Sequence, residues 1–266
     1  MCLIVIDWRP QQHLLVSANR DEFHARPSAA MHYWDEHPHI LAGRDLQQGG
    51  SWLALSTQGR FAALTNIRAP HLETQHKRSR GDWVIRAMNT PSWSAFIAQL
   101  QHEYADYGPF NLLFGDQQQL FYCHNTPAFH YQALDAGYYT LSNAHLNSHW
   151  PKSFLAAQQL HRWQQYTDTH TDTHTDRQAT PVAILNRTHA FSDTQLPSTG
   201  VPILWERMLS AQHILNPQYG TRCSTGIALY PNYTDVDEYE YAANGEKTRQ
   251  FSHRIAHVNK PSIKSK

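Results

Sequence analysis

The 266-residue chain has only three cysteines, Cys2, Cys123 and Cys223, and no Cys-x-x-Cys pair. Such sparse and odd-numbered usage excludes a disulfide framework or a structural zinc site and implies a reducing compartment. An excess of either charge is also missing. The 22 basic and 22 acidic residues balance, so there is no electrostatic case for nucleic acid or an anionic membrane surface. No run approaches the ~20 apolar residues of a membrane span. The start lacks the positive n-region and apolar core of a secretory signal, so the expectation is a cytoplasmic protein with no membrane span. Gly49-Gly50-Ser51 is not followed by Gly-Lys-Ser/Thr and reads as a tight turn rather than a phosphate loop. Cys123-His124 lacks the preceding Cys-x-x spacing of a haem attachment sequence. Histidine is abundant, at 19, but scattered, and no metal site follows from the count.

What is present reads as one domain over 1–266. Its apolar runs alternate with turn signals: a strand at Leu3 to Ile6, another at His13 to Val16, then a His- and Pro-containing loop from His32 to His39. A meander follows at His39 to Gly43, Trp52 to Ser56 and Phe61 to Asn66. Helices are expected after Asp82 and after Pro91, covering one face of that sheet. More strands are expected at Phe110 to Phe114, Leu120 to Cys123, Phe129 to Gln132 and Gly137 to Ser142. Helices at Trp150 to Trp163 and Ile203 to Leu215 precede strands at Thr225 to Tyr230, Tyr239 to Ala243 and Gln250 to Ile255. Residues 167–178, with their Thr-Asp-Thr-His repeat, read as a disordered insert, and 258–266 as a solvated tail. Strands and helices come in blocks rather than in β-α-β alternation, which favours an α+β fold with antiparallel sheets.

Cys2 is the residue with chemistry in view. Removal of Met1 would give it a free amine (pKa near ~8) beside its thiol (near ~8.5), so one residue would be both nucleophile and base. Pairing the first two strands as a hairpin would return Asn19-Arg20-Asp21-Glu22 to its side, supplying a carboxylate for the ammonium and a guanidinium for the thiolate. Taken singly, each residue has a plainer reading. A second-position cysteine is ordinarily just a small residue, an Asp–Arg pair a surface ion pair, and a strand-end asparagine an Asx-turn.

With Met1-Cys2 ahead of it, Asn19-Arg20-Asp21-Glu22 resembles the signature of the NRDE proteins, the transport and Golgi organization 2 family. Ordered matches support this along most of the chain: Ala42-Gly43-Arg44-Asp45, Gly49-Gly50-Ser51-Trp52, Gly59 through Asn66, and Tyr219-Gly220-Thr221-Arg222. More distantly, the same segments are similar to N-terminal-nucleophile hydrolases of the penicillin V acylase and bile salt hydrolase group. That similarity implies a four-layer αββα sandwich of two mostly antiparallel sheets. It also implies Cys2 as nucleophile, Asp21 as the carboxylate holding its amine, and Asn66 and Asn143 as oxyanion donors. Arg222 would be the late arginine near the nucleophile. Asn19 and Arg20 complete the catalytic set, although the hydrolases carry their arginine before the asparagine, where this chain has Ala18. Trp34, Trp52 and Trp150 lie in neighbouring segments and are expected to line an apolar substrate pocket.

Two readings stay open. One is a cysteine hydrolase of linear amides, with no cofactor required. The other is a carrier of haem, or of acyl-coenzyme A or lipid, on the same fold, as the family resemblance implies. Either way the partner is a small-molecule or lipid-like ligand.

Overall fold

In the computed structural model the described residues are 2–72, 78–169 and 179–258. The opening apolar run forms strand β1 (Cys2–Arg9), which returns through a short turn as β2 (His13–Phe23). The two pair antiparallel with Cys2 opposite Arg20, as the hairpin reading requires. Then come β3 (Ser28–Trp34), β4 (His37–Asp45), β5 (Leu53–Ser56) and β6 (Phe61–Asn66). Next are helices α1 (Asp82–Asn89) and α2 (Trp93–Glu103), followed by strands β7 (Phe110–Gly115), β8 (Leu120–His124), β9 (His130–Ala133) and β10 (Gly137–Leu141). The remaining elements are α3 (Pro151–Thr169), α4 (Ile203–Ser210), β11 (Tyr219–Leu229), β12 (Tyr233–Tyr241) and β13 (Lys247–Ala256).

The strands make two antiparallel sheets. One is six-stranded in the order β10-β1-β2-β11-β12-β13; the other is a seven-stranded meander from β3 to β9. Strand alternation divides the apolar residues among three interfaces. Ile4, Ile6, Trp8, Leu14 and Val16 meet Leu41, Leu53, Phe61 and Leu113 between the sheets. On the far side of the second sheet, Ala62, Leu64, Leu112 and Phe114 pack against Trp83 and Ala87 of α1 and Phe96 of α2. On the far side of the first, Leu3 and Val5 pack against Ala156 and Leu160 of α3. The result is an α+β sandwich of four layers, αββα. Each fully buried Leu, Ile or Phe contributes about 1.5–3 kcal/mol, and the inter-sheet core that holds Cys2 in register contains many.

Several elements differ from expectation. The stretch read as loop from His32 to His39 contains the end of β3 and the start of β4, an edge pairing whose register shifts twice. Those irregularities hide the alternation that buries Met31 and Trp34. The helix expected to reach Leu215 ends at Ser210, because Ala211 is extended and the N–H groups of Gln212 and His213 donate to the Arg187 carbonyl instead. Strand β12 starts at Tyr233, well before Tyr239, since its carboxylates are accommodated in the fold: Asp235 accepts from Arg254 and Glu238 from the Met31 N–H. Helix α3 runs on to Thr169, into the stretch read as an insert; residues 170–178 and 259–266 lie outside the described residues. Among the described residues no helix is long and apolar enough to cross a membrane.

Candidate functional site

Because β1 and β2 pair with Cys2 opposite Arg20, both side chains fall on the face that carries Ile4 and Ala18, toward the second sheet. Their Cβ atoms are about 5 Å apart in such a pair. At this end the sheets splay around a cavity of about 280 Å³ whose lining includes Cys2, Arg20, Arg26, Asp45, Trp52 and Asn66. The Arg20 guanidinium lies 4.0 Å above the Trp52 ring. Trp52 can occupy that place because Gly43 has no side chain: a Cβ there would come within 2.3 Å of the ring. Ser142 Oγ donates to the Cys2 carbonyl at 2.9 Å and fixes the strand end from β10's side.

By strand alternation Asn19 and Asp21 fall on the opposite face, although Asp21, like Glu22, also borders the cavity. Asn19 is buried, donates at 2.8 Å to the carbonyls of both Leu185 and Gln212, and accepts from Ser224 Oγ at 2.6 Å. Asp21 accepts from Thr221 Oγ1 at 2.7 Å, and that oxygen also receives the Ile214 N–H at 2.8 Å. Lys152, only 2% exposed, lies close enough for its charge to act on both Asp21 and Cys2. Its Nζ donates to the Leu209 carbonyl at 2.9 Å.

Burial dominates the electrostatics. It pushes the Cys2 thiol up, with Asp21 adding to the rise and Arg20 opposing it. It pushes the Asp21 carboxyl up against the pull of the chain's positive terminus and of Lys152, and it lowers Lys152 to about 8. Acid and base are thus both driven toward neutrality, so desolvation outweighs the attraction between them. A resting thiol in this setting needs a base before it can act as a nucleophile.

The other expected residues are not all brought together. Asn66 lines the cavity. Asn143 does not: it is buried behind Asn66 and its amide donates to the Asn66 carbonyl at 2.8 Å. Arg222 sits in a bulge between Thr221 and Cys223, and its guanidinium clamps the carbonyls of Phe23, His24 and Arg26. Of the three tryptophans, only Trp52 lines the cavity. Trp34 is turned to the helical side of the second sheet, where its Nε1 donates to the Ala42 carbonyl under Arg44. Trp150 immediately precedes α3 on the opposite side, beneath Arg68 and Lys152.

Lys152 is the residue that sequence reasoning missed. A signal existed: a cation in the first turn of a helix opposes the macrodipole, which favours acidic groups there. The Arg26–Asp45 pair at the cavity rim (2.7 Å) was missed as well. Among the described residues no group of three or more His, Cys, Asp or Glu side chains is placed to hold a metal ion.

The family model described as Transport and Golgi organisation 2 matches residues 1–243. The Transport and Golgi organization protein 2 homolog of Bos taurus is 31% identical over 253 residues, 86% of this chain and 88% of that protein. The Homo sapiens homolog is 35% identical over 167 residues, 57% of this chain and 60% of that one. Among solved structures, a variant of conjugated bile acid hydrolase from Clostridium perfringens is similar at a TM-score of 0.47 and 8% identity, covering 98% of this chain and all of that one. A Caenorhabditis elegans ortholog of N-acylethanolamine-hydrolyzing acid amidase is similar at 0.39 and 8%, covering 66% and 88%.

Proposed function

This chain belongs to the Transport and Golgi organisation 2 family, and from that premise we propose that it hydrolyses a C–N amide, or a thioester, with Cys2 as nucleophile once Met1 is removed. The observation that carries the reading is that Cys2 and Asn66 open into one cavity from two different sheets. In this reading the first sheet supplies the nucleophile and the second the amide donor.

The steps use groups already described. The freed α-amine takes the thiol proton, and the Cys2 thiolate adds to the carbonyl carbon. The oxyanion is received by the Asn66 side chain, which Asn143 positions from behind. Collapse breaks the C–N bond, and the ammonium returns its proton to the leaving amine, leaving a thioester on Cys2. Water, deprotonated by the same amine, then releases the acid and restores the thiol. Because burial keeps the resting thiol protonated, the amine is the required base, and Asp21 holds it. Removing one oxyanion donor typically costs 10²–10³ in turnover.

The test begins with the mature N-terminus. Mass spectrometry of the protein from its cell is expected to find Cys2 first, and a thiol-directed acyl electrophile should label that residue and not a Cys2→Ser variant. A retained Met1 would sink the hydrolase reading, because the amine would then be locked in a peptide bond.

A carrier role on the same cavity is the second reading. Arg20, which among the described residues has no carboxylate partner, favours it, since it suits a ligand with an anionic head such as acyl-coenzyme A, or haem through its propionates. For haem, Cys2 is the one soft iron ligand in the lining and no histidine joins it, which favours acyl-coenzyme A over haem. A shifted Soret band on adding stoichiometric haem would reverse that preference.

A further inference from the structure

Arg20 is only 6% exposed, yet among the described residues no carboxylate pairs with it. Its hydrogen bonding is one long contact, Nη1 to Ser28 Oγ at 3.4 Å, and its one further partner is the Trp52 ring. Other arginines have their N–H groups answered. Buried Arg68 meets Glu206 at 2.7 Å, and Arg60, which like Arg20 is buried over a tryptophan ring, donates to the carbonyls of Met88 and Thr90. The more open Arg26 and Arg254 are forked onto Asp45 and Asp235. At the cavity's far wall Arg78 is met by Glu103 and Asp82.

A guanidinium cannot shed its proton at neutral pH, so a sheltered one without a counterion carries a desolvation cost that the fold itself does not offset. It also keeps most of its five N–H donors unspent. Arg20 lines the cavity shared with Cys2 and also a small void bounded by Cys2, Trp52 and Leu64. Trp52 holds the guanidinium, whose Cζ lies 4.0 Å from the ring centroid, and the uncommitted N–H groups are left to a ligand. A planar fork is suited to two parallel hydrogen bonds with an oxyanion.

We propose that Arg20, held by Trp52, is the receptor for an anionic group of the ligand, a carboxylate or a phosphate, seated beside the Cys2 thiol. The inference names the ligand class of the Cys2 site and so rests on that site, but it holds for a carrier as well as for a hydrolase. A ligand carries its oxyanion one residue's breadth from the bond presented to Cys2, and a neutral analogue of the same shape leaves Arg20 unanswered.

Cys2 reports on this directly through two alkylating reagents of nearly equal shape, iodoacetate and iodoacetamide. In each case the thiolate displaces iodide, forming a C–S bond as the C–I bond breaks. Rates at Cys2 are read by mass spectrometry of the N-terminal peptide, relative to free cysteine in the same buffer. The iodoacetate-to-iodoacetamide ratio at Cys2 is expected to exceed that of free cysteine by about tenfold or more, the worth of a charge-assisted bond. Arg20→Gln should bring it back to the free-cysteine value, and Arg20→Lys, which keeps the charge without the fork, should fall between. In the unmutated protein, inorganic phosphate or acetate should slow labelling by iodoacetamide, and the more protective anion identifies the group preferred.

A ratio at Cys2 equal to that of free cysteine, with no protection by either anion, overturns the proposal while leaving Cys2 as a nucleophile. Should Cys2 resist both reagents, the nucleophile reading falls, and calorimetric titration with phosphate and with acetate decides the anion site by itself. Heat of binding in the unmutated protein and none in Arg20→Gln supports the site; no heat in either removes it.

Discussion

Arg20 and Asp21 are neighbours in the chain, and the two faces of β2 on which they sit are built on opposite plans. Around Asp21 the polar groups are closed upon one another: Thr221 bridges it to Ile214, Asn19 ties Leu185, Gln212 and Ser224 together, and Gln212 reaches back to Lys152 and Gln159. Around Arg20 there is an aromatic ring, one long hydrogen bond and open space. A densely hydrogen-bonded network behind the strand can hold the residues on its front in place while their own bonding capacity is kept for a ligand. The four-residue motif therefore serves two purposes by alternation alone.

The sharpest way to break this contrast is to change one residue on each face. Asn19→Ala would strand two carbonyls and a buried hydroxyl, and is expected to lower stability by roughly 3–5 kcal/mol. Arg20→Gln removes a sequestered charge with no counterion and should shift stability by less than about 1 kcal/mol, in either direction. Urea midpoints at equal slope report both. Equal losses at the two positions would mean that Arg20 is as structural as Asn19, and the division between the faces would be wrong.

The next effect is confined to a range of pH. Lys152 is lowered in the folded protein to about 8 from an unfolded value near ~10.4. Between those values the unfolded chain binds the proton and the native one does not, so this lysine's contribution to stability rises with pH across the interval, while the buried thiols of Cys2, Cys123 and Cys223, all pushed up by burial, contribute in the opposite sense. Below pH 8 both states are protonated and the penalty is constant. A shift of this size corresponds to about 3 kcal/mol. The difference in stability between the parent protein and Lys152→Met, read by chemical denaturation, should therefore climb in the parent's favour between pH 8 and 10. A difference that stays constant over that range removes Lys152 from the network around Asp21.

The hairpin, the meander and the clustering of the motif with Cys2 were all legible in the sequence, because each depends on apolar runs and turn residues that act locally. Which face each motif residue takes was not legible. Leu3-Ile4-Val5-Ile6 is apolar on both sides, as a strand buried by layers on both faces must be, and such a run gives no phase. Knowing that even-numbered residues face the second sheet requires the other layers to be in place. The same ignorance of phase put Trp34 and Trp150 in the pocket, although one packs under α1's layer and the other immediately precedes α3. Asn143 reads alike as a donor to substrate or to a neighbour, and only its approach to the Asn66 carbonyl separates the two. Arg222 was displaced by a bulge, which single-sequence patterns do not reveal. The fold was thus readable where the determinants were short-range, and the site only as far as the list of its members.

The smallest expected effect sharpens the front face alone. Gly43 stands in the second sheet with no side chain, and a Cβ there would lie 2.3 and 2.4 Å from two carbons of the Trp52 ring. The ring is backed by the inter-sheet core, so Gly43→Ala must rotate or lift it, at about 1–3 kcal/mol for overpacking. The displaced ring would no longer hold the Arg20 guanidinium, while the hydrogen bonds of Asn19 and Asp21, on the far side of β2, would be untouched. The variant should accordingly lose a modest part of its stability and much of any discrimination between iodoacetate and iodoacetamide at Cys2, yet keep the Lys152-dependent rise in stability above pH 8. Loss of that rise together with the discrimination would show the two faces to be coupled through the strand, and the back face could no longer be regarded as a fixed support for the front.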